Sequence, residues 1–481
     1  MTASSGAQMR GAAGRIRPHA RPRETGLLIL VAVVLVVGSI SLGATQRQLA
    51  GQKLSWLPAD AGQLVIYLGA LVAAHLALIV AGRRSDQVLL PTIGLLGGIS
   101  LLLMERLPQS LVTQSLAGRD FGLASIQLGW LLLAIAVIAI AAVAVRSDAW
   151  LRRYKYTWAA AGIALLLLTF LFGDEVNGAL LTIQVGPFSG QPTELIKVIL
   201  VIFLAGYLSE FRPLLVTESM RLGPLRLPPL QYLLPMLAMW AMALGIVVIQ
   251  RDLGAALLFF AVFLALVYIA TARASYVLIG LVLFVAGSVI AYELFGTVRD
   301  RVDIWLDPFA DASGKGYQVV QALYAFGRGG IVGTGLGAGL PLVGGRLPVP
   351  AIHTDFPFAA LGEELGLIGV VAILGLYLIV IERGLRVAAS AADDFRTLLA
   401  AGLTLVVGVQ AFIIAAGNLK LIPLTGVTLP FISYGGSSLL ANGVVIGLLL
   451  ALSDRGVEPP PPKTRRGLRP AFLGGTSKGS R

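Results

Sequence analysis

Long apolar runs, separated by short polar segments, dominate the pattern of residues along the chain. Twelve of these runs have roughly the 20 residues that a helix needs to cross a bilayer. They lie at 26–44, 62–82, 88–104, 126–145, 157–173, 194–210, 230–249, 253–271, 275–296, 356–382, 398–416 and 436–452. The pattern predicts an all-α, polytopic membrane protein with about twelve transmembrane helices. It also predicts one large external loop, 297–355, before the tenth span.

Composition supports this class, and the placement of charge predicts the orientation. Hydrophobic residues make up 57% of the chain and charged residues 13%, with a mean hydropathy of +0.84, which excludes a soluble domain of this length. Lys and Arg concentrate at 83–84 and 146–155, whereas 174–193 contains neither, so the termini are predicted to be cytoplasmic and 174–193 external. The net charge of +12 then reflects topology and attraction to anionic lipid, and it indicates no nucleic-acid partner.

The two ends of the chain are basic and lack apolar periodicity. We therefore expect residues 1–25 and 455–481 to be disordered cytoplasmic tails. Because 26–44 is long for the apolar part of a signal peptide, an uncleaved first helix is expected. The absence of Cys excludes disulfides, thiolate metal sites and a Cys nucleophile. The only three His, at positions 19, 75 and 353, exclude a His-rich metal centre.

Two polar clusters interrupt the predicted spans. Pro192 can begin a helix that places Glu194 and Lys197 on one face, where the two charges either pair to fix helix packing or face a wet cavity. In QRDLG at 250–254, capping of the next helix explains Asp252, and Gly254 allows close helix approach. From these residues alone a structural role explains both clusters, and a functional role stays open.

The external loop 297–355 carries a cationic set that suits a diphosphate or another anion, or that forms a solvated rim. This set is Arg299, Arg301, Lys315 and Arg328. Apolar residues at helical spacing predict a short interfacial helix from 317 to 326. Its polar residues available for contacts are Tyr317, Gln318 and Gln321. The glycines that follow are not a nucleotide-binding loop, because GxxxxGK[ST] is missing and no strand is predicted before them.

Asp355 precedes the apolar run 356–382 and is therefore expected at or just below the membrane surface. Burying a carboxylate there is costly, which favours a functional role. Thr354 or Asp355 could instead cap the helix that begins near Phe356, with Pro357 in its first turn.

The neighbours of Asp355 favour catalysis. Glu363 and Glu364 lie about two helical turns further on, and the cationic, Gly-rich loop comes immediately before. This grouping suits a carboxylate that acts as a general base on a hydroxyl next to an anionic leaving group.

The segment 421–442 alternates Pro and Gly with hydroxyl residues between two spans. Irregular backbone is tolerated at membrane depth only where protein or a water-filled cavity satisfies it. The segment is therefore predicted to form a cavity wall. The hydroxyl residues taken as candidate substrate contacts are Thr354, Ser433, Ser437 and Ser438.

These motifs, in this order, resemble those of the SEDS family, which includes FtsW, RodA and SpoVE. QPTELIKV at 191–198 resembles the family's QPSE-x-x-K, QRDLG resembles QPDLG, and HTDFPFAALGEELG at 353–366 resembles HTDFIFA followed by EE-x-G. RVDIWLDP with GYQ at 316–318 resembles the start of the large external loop, and PLTGVTLPFISYGGSS at 423–438 resembles the C-terminal signature. The resemblance runs from about 178 to 454.

The chain departs from the family pattern at two motif positions. Pro357 replaces the usual isoleucine, and Arg251 replaces the proline of QPDLG. LLAN at 439–442 looks more like an actinobacterial subgroup.

The resemblance implies a peptidoglycan glycosyltransferase that polymerises lipid II on the outer face of the bacterial cytoplasmic membrane, in division or elongation. A class B penicillin-binding transpeptidase is the implied partner. Asp355 matches the catalytic aspartate and general base, and Glu194, Lys197 and Asp252 match supporting charges. Arg301 is the first choice to stabilise the lipid diphosphate, and help from a divalent cation, Mg²⁺ or Mn²⁺, is left open.

The resemblance also divides the chain. It implies a catalytic core at 174–454, preceded by about five helices at 26–173 that are partly extra to this core.

Two other functions fit the composition. A transporter of a lipid-linked precursor would also build a charged cavity at membrane depth, but it needs charges that serve both faces. Here the candidate charges lie at or near the predicted outer half, which favours chemistry there. A catalytically silent scaffold for the cell-wall machinery leaves the HTDF motif unexplained.

Overall fold

The computed structural model describes most of the chain. It leaves out residues 1–17, 53–57, 117–118, 177–178, 186–187, 218–219, 223–224, 228–244, 246–251, 340–346, 350 and 455–481. Nearly all of the predicted span 230–249, most of the N-terminal tail and the whole C-terminal tail lie outside the described residues.

Nine helices of the described part are long and apolar enough to cross a membrane. They are α1 Pro22–Leu49, α2 Ala61–Val80, α3 Leu89–Arg106, α4 Leu123–Ala144, α6 Lys155–Phe172, α8 Leu253–Thr271, α9 Ala274–Leu294, α12 Pro357–Ala389 and α13 Asp394–Asn418. Two more helices, α7 Pro192–Thr217 and the shorter α14 Gly436–Leu452, coincide with further predicted spans. The all-α class is thus confirmed, and the number of twelve spans stays a prediction.

Shorter elements connect these helices. They are the helices α5 Ala149–Arg153, α10 Gly296–Leu306 and α11 Tyr317–Gly329, and 3-10 turns at Gln109–Leu111 and Pro308–Asp311. The helix predicted from 317 to 326 is therefore confirmed as α11, and its interfacial position stays a prediction.

Aspartate side chains cap the first turn of several helices. Asp60, Asp252 and Asp393 each accept a hydrogen bond from the backbone N–H three residues on, which satisfies a donor that the first turn leaves free. Pro192 and Pro357 begin α7 and α12, where a missing N–H costs little. The capping role predicted for Asp252 is confirmed.

Small antiparallel hairpins, which the apolar pattern did not predict, lie between some helices. Their strands are β1 Gln114–Leu116, β2 Arg119–Phe121, β3 Asp174–Val176, β4 Ala179–Val185, β5 Phe188–Gly190, β6 Met220–Leu222 and β7 Leu225–Leu227. Strands β3, β4 and β5 form a three-stranded sheet in the segment predicted to be an external loop, with Ile183 opposite Gly190.

The centre of the bundle is formed by α7, α13 and α14. Helix α13 packs against α12, α7 and α8, and α14 packs against α4 and α7. By contrast, only 11% of the most apolar stretch of α9 is buried within the chain, and α9 packs mainly on α8. Most of α9 is therefore exposed on the surface of the described part of the chain.

Residues 22–25, predicted to end the disordered N-terminal tail, are helical instead. Helix α1 already begins at Pro22, and Arg21 and Glu24 form a buried ion pair. The apolar pattern placed this start at residue 26 because polar residues fill the first turn, yet their charges are satisfied inside the bundle. His75 on α2 contacts the same carboxylate, with Nδ1 2.6 Å from Oε1 of Glu24.

Candidate active site

A tight turn places Asp355 directly before α12. The backbone N–H groups of Asp355 and Phe356 donate to the carbonyl of Ala351 at 2.9 and 3.2 Å. The Asp355 carbonyl accepts from Nδ2 of Asn418, at the end of α13, at 2.9 Å. The backbone of this residue is thus held from both sides.

The Asp355 carboxylate does not cap α12, which corrects one of the two interpretations left open by the sequence. The N-cap residue of α12 is Phe356, and no side chain makes a capping hydrogen bond there. Within the described part of the chain the Asp355 carboxylate has no hydrogen-bond partner. It faces a cleft of about 280 Å³. The cleft is lined by Arg301, Ile304, Trp305, Lys315, Gln318, Val319, Asp355, Gly417, Lys420, Ile422, Leu424 and Gly426.

Two of the four predicted cations, Arg301 and Lys315, line this cleft, and Lys315 also pairs with Asp300 at 2.7 Å. Of the other two, Arg299 pairs with Glu293 at 3.3 Å, and Arg328 pairs with Glu363 at 3.1 Å. The cationic set predicted from the loop is thus divided between different surfaces.

Lys420 is a third cation of the cleft that sequence reasoning missed. It lies in the turn after α13 with a positive φ of 59°. Lys420 is the only basic residue of GNLKLIP at 417–423, and this is the one signal in the sequence that could have indicated its role.

Three hydrogen bonds fix α10 to this turn. Trp305 Nε1 donates to the Lys420 carbonyl at 3.1 Å, and Lys420 Nζ donates to the Leu306 carbonyl at 3.3 Å. Arg301 Nη1 donates to the Thr425 carbonyl at 3.2 Å. The last of these bonds holds the Arg301 guanidinium beside the cleft, because it joins one guanidinium nitrogen to the wall formed by the segment after α13.

Burial and charge act against each other on Asp355. Burial raises its pKa from the ordinary 3.8 to about 6, and the nearby Arg301 opposes this increase. Burial also lowers the pKa of Arg301, against the influence of Asp252 and Asp355. Asp355 therefore titrates close to neutrality, while Arg301 keeps its charge because the pKa of a guanidinium starts so high.

A small chamber of about 30 Å³ adjoins the cleft, and Gly426 lines both. It is lined by Glu194, Lys197 and Asp252 and has room for about one water molecule. Arg301 interacts electrostatically with Asp252 and with Asp355. Glu194, Lys197 and Asp252 are therefore adjacent to the cleft, and Asp252 is linked to Asp355 through Arg301.

Glu194 and Lys197 pair inside the bundle and also line the small chamber, so both arrangements left open by the sequence are present. Lys197 Nζ is 2.5 Å from Oε2 of Glu194, and it also donates to Gln410 Oε1 at 2.8 Å and Asn442 Oδ1 at 3.2 Å. This cluster ties α7 to α13 and α14.

Close approach at Gly254 brings the start of α8 against the chamber wall. A Cβ at this position would lie 2.8 Å from the Thr425 carbonyl oxygen and 2.4 Å from Val427. The close approach predicted from QRDLG is confirmed, and its partner is a loop rather than a helix.

The four candidate hydroxyls make structural contacts and do not line the cleft. Ser433 donates to the Thr354 carbonyl at 2.6 Å, and Thr354 Oγ1 donates to the Ala351 carbonyl at 3.3 Å. Ser437 Oγ accepts from the Gln191 N–H at 2.9 Å. Ser438 Oγ lies 2.6 Å from Oγ1 of Thr428, on the side of the small chamber.

Among the polar residues of α11, Gln318 lines the cleft, whereas Tyr317 and Gln321 are half-buried outside it. Of these three residues, Gln318 is therefore the one that lies in the same cleft as Asp355 and Arg301.

Glu363 and Glu364 do not join Asp355. Glu364 pairs with Arg106 and accepts from the Gly337 N–H at 3.0 Å, and Glu363 pairs with Arg328. Their role is to hold the Gly-rich segment against α12. Among the described residues, no group of three or more His, Asp or Glu side chains is arranged to hold a metal ion.

Comparison with known proteins gives the family. Residues 86–456 match the profile of the cell cycle protein family of FtsW, RodA and SpoVE. Peptidoglycan glycosyltransferase RodA of Mycobacterium bovis is 42% identical over 445 residues, 92% of this chain and 92% of that protein. The corresponding protein of Mycobacterium leprae is 40% identical over 442 residues, with the same shares covered. The probable peptidoglycan glycosyltransferase FtsW of Geobacter metallireducens is 36% identical over 309 residues, 63% of this chain and 78% of that protein.

Solved structures share the fold. A chain from a peptidoglycan synthase complex that coordinates polymerization and crosslinking superposes with a TM-score of 0.59 at 27% identity, covering 77% of this chain and 98% of that chain. A mutant of the rod shape determining protein RodA of Thermus thermophilus gives 0.52 at 25% identity, covering 77% and 97%. The family profile and the match to RodA of Mycobacterium bovis extend before residue 178, where the motifs in the sequence gave no resemblance. The chain is therefore a multi-pass bacterial membrane protein that belongs to the FtsW, RodA and SpoVE family.

Proposed function

We propose that this glycosyltransferase polymerises lipid II into glycan strands at the outer face of the cytoplasmic membrane. The observation that carries the proposal is the Asp355 carboxylate, which has no hydrogen-bond partner among the described residues and faces a cleft with three cations. The curated relatives, 40–42% identical over nearly their whole length, are peptidoglycan glycosyltransferases by name.

In the proposed reaction, Asp355 is the general base. It takes the proton from the 4-hydroxyl of the acceptor sugar as that oxygen attacks the anomeric carbon of the donor. The new glycosidic C–O bond forms while the bond from the anomeric carbon to the lipid diphosphate breaks, with inversion. The departing diphosphate takes the electron pair of that bond.

The cations of the cleft serve the leaving group. Arg301, Lys315 and Lys420 approach from different elements, so the departing diphosphate is met by charges that are already in place. Arg301 and Lys420 are each held by a backbone carbonyl, whereas Lys315 is paired with Asp300 and would have to share its charge with the diphosphate. A divalent cation, if used, would find Asp355 as the one carboxylate that lines the cleft among the described residues and would add Lewis-acid help for the diphosphate.

The rate of polymerisation is expected to fall at acidic pH. A general base must be ionised, and the pKa of Asp355 is raised to about 6, so kcat/KM should increase through about pH 6 and level off above it. Because Arg301 lowers this pKa, Arg301→Gln should move the midpoint to higher pH. Initial rates of lipid II consumption between pH 5 and pH 8 measure both midpoints. A rate that does not change over this range would contradict the assignment of the base.

We also propose that the protein works with a class B penicillin-binding transpeptidase. The support is its structural likeness to a subunit of a synthase complex that carries out both polymerization and crosslinking. The choice between division and elongation depends on this partner.

Incubation of the purified protein and its transpeptidase with lipid II and Mg²⁺ tests the proposal. Glycan chains resolved on a gel are the expected product. If no chains form but proteoliposomes move labelled lipid II between leaflets, the protein is a transporter. If neither occurs while the complex still assembles, the scaffold function replaces both.

A further inference from the structure

A second cavity lies at the opposite end of the bundle from Asp355. Its volume is about 580 Å³, which is typical of sites for small ligands. It is bordered by the start of α1, the segment between α2 and α3, and the last turns of α12. Helix α12 is kinked at Gly366, and residues 383 and 386 lie roughly 25–30 Å beyond this kink. Helix α3, 18 residues and roughly 27 Å long, begins beside the cavity and ends at Arg106, which pairs with Glu364 near the start of α12. The cavity therefore opens on the face predicted to be cytoplasmic.

Positive charge is in excess in this cavity. The charged residues that line it, apart from His19, are Arg23, Arg84, Asp86, Arg383 and Arg386. Glu382, on the same helix turn, pairs with both Arg383 and Arg386. Within the described part of the chain, Arg23 and Arg84 have no ion pair.

Asp86, the one acidic residue among the described residues that line the cavity, makes its contacts elsewhere. Oδ1 of Asp86 accepts from the N–H groups of Val88 and Leu89 at 2.8 and 3.0 Å, so its charge stabilises the start of α3. Its other oxygen is 3.6 Å from Arg383. Asp86 therefore leaves the charges of Arg23 and Arg84 uncompensated.

A rigid scaffold presents these two arginines. The buried guanidinium of Arg21 donates to the carbonyls of Arg83 and Asp86 at 3.0 and 2.7 Å and to the Ser85 hydroxyl at 3.0 Å. Arg83 in turn pairs with Asp454 at 2.8 Å. The loop that carries Arg84 is thus ordered without using the Arg84 side chain, and a ligand would not have to order it.

A neutral donor lies beside the arginines. Oε1 of Gln87 accepts from the N–H groups of Arg23 and Glu24 at 3.1 and 3.4 Å. This orients the side-chain amide, whose NH₂ group has no partner among the described residues. The cavity therefore combines cationic and neutral donors on preorganised backbone, the combination that recognises a phosphate group.

We propose that this cavity binds the phosphate group of an anionic ligand, with Arg23 and Arg84 as its main contacts. An anionic phospholipid headgroup and free phosphate share this chemistry. The lipid is the source that the position favours, since a basic pocket between helices at the cytoplasmic surface lies at headgroup depth.

Binding of phospholipid to the full-length protein in detergent tests the proposal. Native mass spectrometry and thermal unfolding would compare phosphatidylglycerol, phosphatidylcholine of the same chains, and inorganic phosphate. The wild type is expected to retain phosphatidylglycerol in preference to phosphatidylcholine and to unfold at higher temperature with it. The double variant Arg23→Gln, Arg84→Gln should bind phosphatidylglycerol about tenfold more weakly.

The matched control is Arg152→Gln with Arg153→Gln. These exposed residues of α5 lie in a segment also predicted to be cytoplasmic, and the variant removes the same charge. It should bind phosphatidylglycerol as the wild type does. Stabilisation by inorganic phosphate that equals the lipid effect and is lost in Arg23→Gln, Arg84→Gln would support the site with free phosphate as its ligand. Unchanged lipid binding in that variant, or equal weakening in the control, would overturn the proposal.

Discussion

Asp355→Asn is expected to lower the rate of polymerisation by about 10²- to 10⁴-fold, the contribution typical of a positioned general base. The substitution preserves shape and removes only the ability to take up a proton. The protein should remain folded, because the backbone of residue 355 makes the hydrogen bonds at this site and the carboxylate has no partner among the described residues. Glycan formation from lipid II by the purified complex is the measurement.

Asp303→Asn provides a matched control. Asp303 lies two residues from Arg301, is exposed, and accepts from the Tyr292 hydroxyl at 3.2 Å, a bond that the amide oxygen of Asn can keep. The change in charge is the same as in Asp355→Asn, but the residue does not line the cleft. Comparable losses in the two variants would mean that negative charge on this surface matters rather than a base. If Asp355→Asn retained more than about a tenth of wild-type activity, another base would have to be found.

Lys197→Met is expected to destabilise the protein by about 3–5 kcal/mol, because it leaves the buried carboxylate of Glu194 without its ion pair. Lys197 is 2% exposed, and its ammonium group also holds Gln410 and Asn442 from two other helices. All three partners lose their cation together. The free energy of unfolding in mixed micelles, followed by circular dichroism, measures the effect.

Two further variants distinguish the effect of the Glu194–Lys197 ion pair from that of the other contacts of Lys197. Glu194→Gln combined with Lys197→Met removes both charges and should recover much of the lost stability. Lys155→Met breaks a pair with Glu210, whose side chain is 48% exposed, and should cost no more than about 1 kcal/mol. A double variant no more stable than Lys197→Met would show that the contacts with Gln410 and Asn442 matter more than the ion pair.

The helices were predictable because the bilayer sets their length. The apolar run 253–271 coincides with α8, Leu253–Thr271, whose start is set by the Asp252 cap. The hairpins were not predictable in the same way. Most of their strands have only three residues, too few for an alternating pattern to be seen.

The site was predictable only in part, because chain proximity is a poor guide to which charges meet. Glu363 lies close to Asp355 in sequence, but eight residues along a helix is about 12 Å, and its charge is satisfied by Arg328. Lys420 is separated from Asp355 by two long apolar helices, α12 and α13, and lies in the same cleft. No local sequence pattern indicates such a contact. It arises because the start of α12 and the end of α13 lie at the same end of the bundle.

The walls of the cleft come from distant parts of the chain, and this bears on when the enzyme becomes active during its synthesis. Arg301 is translated long before the segment that carries Lys420 and Thr425. The Thr425 carbonyl, which holds the Arg301 guanidinium in place, is therefore made last. A nascent chain that ends before this segment therefore has Asp355 but lacks one wall of its cleft. Competence for catalysis should arise only near the end of membrane insertion, so that incomplete chains released by the ribosome cannot polymerise substrate.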